Sequence, residues 1–236
     1  MLAMPLITFL IPVRRREGDL LRLAHYFVRQ ANAANCEVVI IHETNELPTD
    51  TRRLLRQAGA MVVSGACNDG VFHKTHLLNT GLSLAQGTHV VPYDSDLLPL
   101  FSLELLCRLV RKSPDLVLGG YRIMSGEQCD TNKAKTLLAV PSSAPEDCSG
   151  ALYKQLMKGE RFMVCPVFRR DHLDALGGWD ENYRGWGCED QDMLERYLTL
   201  SKQLPARLPD FVYLHFDHPT QQGWNEAIHI NRNRKH

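Results

Sequence analysis

The chain lacks a long apolar run: nowhere in its 236 residues are there the roughly 18 to 20 consecutive apolar side chains that a membrane-spanning helix needs. No transmembrane segment is expected. A secretory signal is lacking as well, because the apolar opening 1–13 has no basic stretch before it and is followed by Arg14, Arg15 and Arg16, the reverse of the signal-peptide order. The opening reads instead as a first core strand. An excess of either charge is also missing: 27 Lys plus Arg stand against 27 Asp plus Glu. No overall basic field is available to hold nucleic acid or an anionic membrane, so an anionic ligand needs a local device. Cysteines number 7 (Cys36, Cys67, Cys107, Cys129, Cys148, Cys165 and Cys188) and never form a C-x-x-C pair. That argues against a cysteine zinc site and points to a reducing, cytoplasmic setting, either free or peripheral at the inner face of a membrane. The P-loop, the G-x-G-x-x-G dinucleotide turn, the G-x-S-x-G elbow and H-E-x-x-H are all absent. P-loop NTPases, dinucleotide oxidoreductases and the hydrolases of those kinds are thereby disfavoured.

What is present is the composition of a soluble globular domain, 44% hydrophobic, 23% charged and 8% aromatic. One domain over 1–236 is expected, a nucleotide-binding half at 1–100 and an acceptor and catalytic half at 101–236. In the first half two hydrophobic periods alternate, the sign of β-α-β units and a mostly parallel sheet flanked by helices. Strands are expected at 5–13, 37–42, 60–63 and 88–92, with helices at 19–33, 49–57 and 74–85, the first capped by Asp19. In the second half the pattern predicts a helix at 102–112, a strand at 116–122, a mobile loop within 125–160 and a strand at 162–168. A short helix at 171–176, a helix built on Met193, Leu194, Tyr197 and Leu198, a last strand at 211–216 and a frayed tail from Asn231 complete the reading.

Several clusters carry chemistry. Asp94-Ser-Asp96 follows an apolar strand, so two carboxylates stand at the sheet's carboxyl edge, where open α/β sheets place their ligands. Hard oxygen donors at that spacing suit magnesium or manganese carrying a phosphate, whereas an acidic turn is the plainer reading. Glu189 and Asp190 begin a helix, where a simple cap is the alternative, and are preceded by Arg184-Gly-Trp-Gly187, whose glycines leave Trp186 able to offer a flat face to a sugar ring. Trp186 is otherwise a core aromatic. His215 and His218 end the last strand, and either can donate an imidazole to a metal or serve as a hydrogen-bonded structural residue. Arg14 follows the first strand and can neutralise phosphate, while Arg15 and Arg16 read as solvated.

In order along the chain, Phe9-Leu-Ile-Pro-Val-Arg14, Phe72-His-Lys-Thr-His-Leu-Leu-Asn-Thr-Gly81, Tyr93-Asp-Ser-Asp-Leu-Leu-Pro99, Gly177-Gly-Trp-Asp-Glu181, Gly185-Trp-Gly-Cys-Glu-Asp190 and His215 resemble the motifs of GT-A fold glycosyltransferases that use nucleotide sugars. The likeness is to the β-1,4-galactosyltransferase group and to galactosyl- and hexosaminyltransferase domains of bacterial polysaccharide synthases. It implies a GT-A (Rossmann-like) single domain and an inverting, metal-dependent enzyme. Such an enzyme moves a hexose or N-acetylhexosamine from a UDP-sugar to a glycan or saccharide hydroxyl, with Mn2+ (or Mg2+) as cofactor. By the same resemblance Pro12, Arg14, Phe72, Lys74, Asp94, Asp96 and Trp186 bind the donor, and Asp96 holds the metal with His215, or His218 in its place. Asp190 is the implied base, assisted by Glu189. Arg184 and Gln191 depart from the animal enzymes, which bears on the acceptor. With no stem or anchor, a Golgi-type enzyme is not expected. Other readings are a catalytically silent nucleotide-sugar or glycan-binding module and a nucleotidyltransferase, although the glycine-rich basic loop of the latter is missing from 11–16.

Overall fold

The structure, a computed structural model, describes residues 4–14, 16–43, 47–65, 71–124, 163–185, 187–216 and 231. The loop expected within 125–160, Arg15, Trp186, His218 and the tail after Asn231 lie outside them. The first strand, β1 (Ile7–Val13), is buried along its whole length, as a run of Ile, Thr, Phe, Leu and Val covered on both faces must be. It pairs in parallel with β2 (Glu37–His42) and β4 (His89–Pro92), and β2 pairs in parallel with β3 (Met61–Ser64). A two-residue strand, β7 (Phe168–Arg169), closes the other edge antiparallel to β4, giving the order β3-β2-β1-β4-β7.

Helix α1 covers one face in three consecutive stretches, α-helical Glu17–Arg22, π-helical Leu23–Val28 and α-helical Arg29–Ala33. It buries Leu20, Leu23, Ala24, Phe27 and Ala31, which recur at helical spacing in the sequence, and Val28 beside them. Asp19 does not cap it: its carboxylate lies in the first turn and pairs with Arg16 and Arg22. Helix α2 (Thr49–Ala58) continues this layer, and α3 (Lys74–Leu84) packs on the opposite face against β1 and β2.

A second, three-stranded sheet runs β5-β8-β6, built from β5 (Leu97–Pro99), β6 (Leu116–Met124) and β8 (Leu204–His215). Between β5 and β6, α4 (Leu103–Lys112) is capped by Ser102, whose hydroxyl accepts from the Glu104 amide at 3.2 Å. The register of β6 on β8 shifts between Gly119 and Tyr121, and a Cβ on Gly120 would lie 2.0 Å from the Phe211 carbonyl oxygen, so only glycine fits that bulge. Two expectations change here. The strand placed at 162–168 is confined to Phe168–Arg169, with Val164 making only a bridge to Gly120. The last strand is twice the expected length: its first half also pairs with β6, although Pro205 and Pro209 interrupt the apolar alternation of Leu204, Ala206 and Leu208 and argue against a strand in the sequence. Helices α5 (Arg170–Leu176) and α6 (Glu189–Ser201) complete the second half. Among the described residues no helix is long and apolar enough to cross a membrane.

Candidate active site

The site grows from the end of β4. Tyr93 is buried between Phe27, stacked on it at 4.3 Å between ring centroids, and Phe9, edge-on at 5.7 Å. Its hydroxyl donates to the Leu97 carbonyl at 2.9 Å, and the Leu97 amide donates to the Asp94 carbonyl at 3.2 Å. An aromatic anchor in the core thus fixes the tight turn that carries Asp94 and Asp96. Because Leu97 stands opposite His215 in the β5/β8 register, and the Phe216 amide donates to the Asp96 carbonyl at 2.9 Å, the far end of the chain lies beside this turn. His215 Nε2 is 3.6 Å from Asp96 Oδ2.

Asp96 has another neighbour. Arg16 Nη1 lies 2.9 Å from Asp96 Oδ2 and 3.2 Å from Asp19 Oδ2, with its side chain mostly buried. Arg16 is therefore part of the site, a correction to its reading as a solvated residue. Its partners lie 3 and 80 residues away, and only the nearer one left a local signal. Arg14 Nε is 3.0 Å from Oε2 of Glu43, a buried carboxylate just past β2 that the sequence reading passed over. Pro12 is buried in β1 opposite Ile41, and Phe72 is half-buried against the α3 side of the core.

Lys74, the first residue of α3, links the two halves. Its Nζ is 3.3 Å from Asp94 Oδ1, 3.3 Å from Glu189 Oε1 and 3.0 Å from Asp190 Oδ2. Burial works to lower its pKa, but the charges of Asp190, Asp94 and Glu189 outweigh burial and hold it well above the ordinary lysine value. One ammonium cannot satisfy that many carboxylates, and the most buried one yields: Glu189 is pushed up to about 7 by burial and by the Asp190 charge, against the pull of Lys74. Glu189 is 4% exposed and accepts from the Gly187 amide through Oε2 at 2.9 Å, whereas the Asp190 side chain is 53% exposed. The two adjacent carboxylates thus face different surroundings, one packed inward and one reaching solvent. Cys165 lies nearby, but burial, then the Asp94 charge, raises its thiol well above its usual range, so it stays neutral.

The polar side of α3 explains the 72–81 motif. Asn79 brackets the backbone of Trp179, its Oδ1 accepting from the Trp179 amide and its Nδ2 donating to the Trp179 carbonyl, both at 2.8 Å. It also donates to Glu181 Oε1 at 2.9 Å, while His76 Nδ1 lies 3.0 Å from Glu181 Oε2. Gly178, at φ 77° with Asn79 Oδ1 2.3 Å from where a Cβ would be, admits no side chain. On the other side Leu77, Leu78 and Leu82 are buried against the sheet. Asn231 corrects the expectation of a frayed tail at that position: it is 1% exposed and bonded to the backbone of Arg184.

A divalent cation suits part of this set. Asp96 and His215 place a carboxylate oxygen and an imidazole nitrogen side by side, donors appropriate to Mn2+, yet among the described residues no group of three or more His, Cys, Asp or Glu side chains is placed to hold a metal. That donor set fits an ion whose remaining positions are filled by phosphate oxygens rather than by protein.

Residues 162–218 match the family model described as the N-terminal domain of galactosyltransferase. No curated protein matches the chain. Among solved structures, a mannosyltransferase from Pyrobaculum calidifontis in complex with GDP-Man and Mn2+ aligns with 95% of this chain and 60% of its own at 19% identity and a TM-score of 0.61. TarS 1–349 of S. aureus aligns with 89% of this chain and 60% of its own, at 15% identity and 0.65. The catalytic domain of Drosophila β1,4-galactosyltransferase 7, in complex with xylobiose, aligns with 98% and 81%, at 16% and 0.54. The chain thus spans about 60% of the length of the first two structures, and at these identities the likeness is one of fold. The molecule has the GT-A fold of these glycosyltransferases, and its residues 162–218 are similar to the N-terminal domain of galactosyltransferase.

Proposed function

We propose that the protein is an inverting, metal-dependent glycosyltransferase that moves a hexose or N-acetylhexosamine from a UDP-sugar to a hydroxyl of a glycan or saccharide. The observation that carries this reading is the Lys74 hub, which joins Asp94 at the nucleotide-binding sheet edge to Glu189 and Asp190 at the start of α6. A donor laid along the carboxyl edge of β1 and β4 meets Arg14 and Lys74 as cations for its diphosphate, Asp94 for its ribose and Phe72 for its base. Asp96 and His215 would hold the divalent ion. When bound, it supplies positive charge against the negative charge that grows on the departing UDP.

Asp190 is the base in this reading, because its side chain is 53% exposed while that of Glu189 is buried and bonded to the Gly187 amide. Its carboxylate takes the proton of the acceptor hydroxyl as that oxygen bonds to the anomeric carbon from the face opposite the leaving group. The bond from carbon to the UDP oxygen breaks, UDP leaves with the bonding pair, and one displacement inverts the configuration. Glu189, its pKa raised by burial and by the Asp190 charge, holds the Gly187 backbone and keeps its proton more readily than an ordinary carboxylate, which eases the crowding of negative charge in the site.

The test is to incubate the protein with a panel of nucleotide sugars, saccharide acceptors and manganese and to measure free UDP. Acceptor-dependent UDP release is expected, and Asp190→Asn lowers kcat by about two to four powers of ten with donor affinity unchanged, the usual worth of a general base. Binding of UDP-sugar with no release under any acceptor would reassign the chain as a silent binding module.

A further inference from the structure

The backbone of 183–185, which leads into Gly187 and α6, is held by side chains and backbone from distant parts of the chain. The Tyr183 carbonyl accepts from Thr75 Oγ1 at 3.1 Å, and the Gly185 amide donates to the Phe72 carbonyl at 2.9 Å. Between them, Arg184 is bracketed by Asn231: its amide donates to Asn231 Oδ1 at 3.3 Å and its carbonyl accepts from Asn231 Nδ2 at 2.8 Å. A planar amide with one acceptor and one donor matches the N–H and C=O of a single extended residue, the pattern a neighbouring strand makes. Asn79 holds Trp179 in the same way, so the segment is clamped by an asparagine near each end. At 1% exposure, Asn231 is shielded from water that could replace these bonds.

We propose that Asn231 is a positioning residue for sugar transfer, fixing the Arg184 backbone and through it the entry of Gly187 into α6, and hence the placement of Glu189 and Asp190. This rests on the glycosyltransferase reading above. Asn231 touches neither of those carboxylates in the bonds described; it acts through the peptide units that precede them. Because displacement of a catalytic group by about 1 Å can cost about 100-fold in rate, a clamp remote from the reacting atoms controls turnover more than donor binding.

The test compares Asn231→Ala with the wild-type chain by backbone amide hydrogen exchange and by steady-state kinetics with the donor and acceptor that support transfer. Exchange at Arg184 and Gly185 is expected to speed up about tenfold or more while β1 amides are unchanged, and kcat to fall about 10- to 100-fold with the donor KM within about twofold. Asn231→Asp keeps the shape but turns the donor into a second acceptor against the Arg184 carbonyl at a buried position, and is expected to perturb both readouts at least as much as alanine. Asn231→Ser, which leaves one small polar group, is expected to show the same pattern more weakly and serves if the alanine variant does not fold. Unchanged exchange at Arg184 overturns the clamp. Faster exchange with unchanged kcat makes Asn231 merely structural and overturns its role in transfer. A wild-type chain that transfers no sugar overturns the functional reading, and this inference with it, whereas an active wild type with an equally active variant overturns this inference alone.

Discussion

Around Lys74 a single ammonium lies within 3.3 Å of carboxylate oxygens on Asp94, Glu189 and Asp190, and the buried Glu189 responds by holding its proton up to about pH 7. The sign of the linkage follows. At low pH both folded and unfolded chains carry the proton; as pH rises the unfolded chain ionises first, near the ordinary value of 4.5, and the folded one only near 7. Stability from this group is therefore full below about 4.5 and is lost as pH rises to about 7. Glu189→Gln keeps an acceptor for the Gly187 amide and removes the titration. Across that window it is expected to gain on the wild type by an amount on the order of 3 kcal/mol or less, read from urea unfolding at a series of pH values. Parallel curves for the two proteins would show that Glu189 titrates normally. At this scale Asp94, Asp96, Glu189 and Asp190 stand in short acidic motifs whose chemistry is local, whereas Lys74 enters as a candidate only through the family resemblance of the 72–81 motif. Arg16 was not legible, since what distinguishes it from Arg15 is a carboxylate 80 residues away.

At the scale of elements, α3 joins two motifs that the sequence presents as separate. Its apolar side, Leu77, Leu78 and Leu82, has helical periodicity and announces a helix on a sheet. Its polar side, His76 and Asn79, grips Trp179 and Glu181 about 100 residues away, and no local period records such a contact. The first half of β8 is hidden for another reason, since Pro205 and Pro209 stand within its apolar alternation, and Asn231 reads as tail from its polar neighbours although it is buried. The α3 grip is measurable. Asn79→Ala leaves the amide and carbonyl of Trp179 without their partner beside the buried indole, and is expected to cost about 2 to 4 kcal/mol, one to two for each orphaned group. Ser102→Ala, which removes the cap of α4, is the comparison and should cost about 1 kcal/mol. Urea denaturation of both variants decides it; equal, small losses would mean that the 177–181 loop is held by packing of Trp179 rather than by the amide bracket.

Over the whole molecule, the site exists because two sheets meet. The five-stranded sheet brings Asp94 and Asp96 to the end of β4, and the three-stranded sheet returns β8 so that His215 sits opposite Leu97, with His215 Nε2 3.6 Å from Asp96 Oδ2. If both hold one ion, their contributions to metal-dependent nucleotide binding are coupled, since either loss alone already removes the shared ligand set. Asp96→Asn and His215→Ala should each weaken manganese-dependent UDP binding by about tenfold or more, and the double variant should be little worse than the poorer single one. Calorimetric titration of UDP with manganese, and again with a chelator, reads this directly. In chelator the wild type and His215→Ala are expected to bind UDP with the same reduced affinity, because Arg14, Lys74 and Phe72 are untouched, whereas Asp96→Asn, alone or in the double variant, also removes a carboxylate that pairs with Arg16. Strictly additive losses would place the two residues in separate roles, and a mild His215→Ala beside a severe His218→Ala would move the imidazole ligand to His218. Arg16, 2.9 Å from the same Asp96 oxygen, sharpens the experiment: Asp96→Asn also releases its guanidinium, so Arg16→Ala belongs in the series to separate loss of the ion from rearrangement of the arginine.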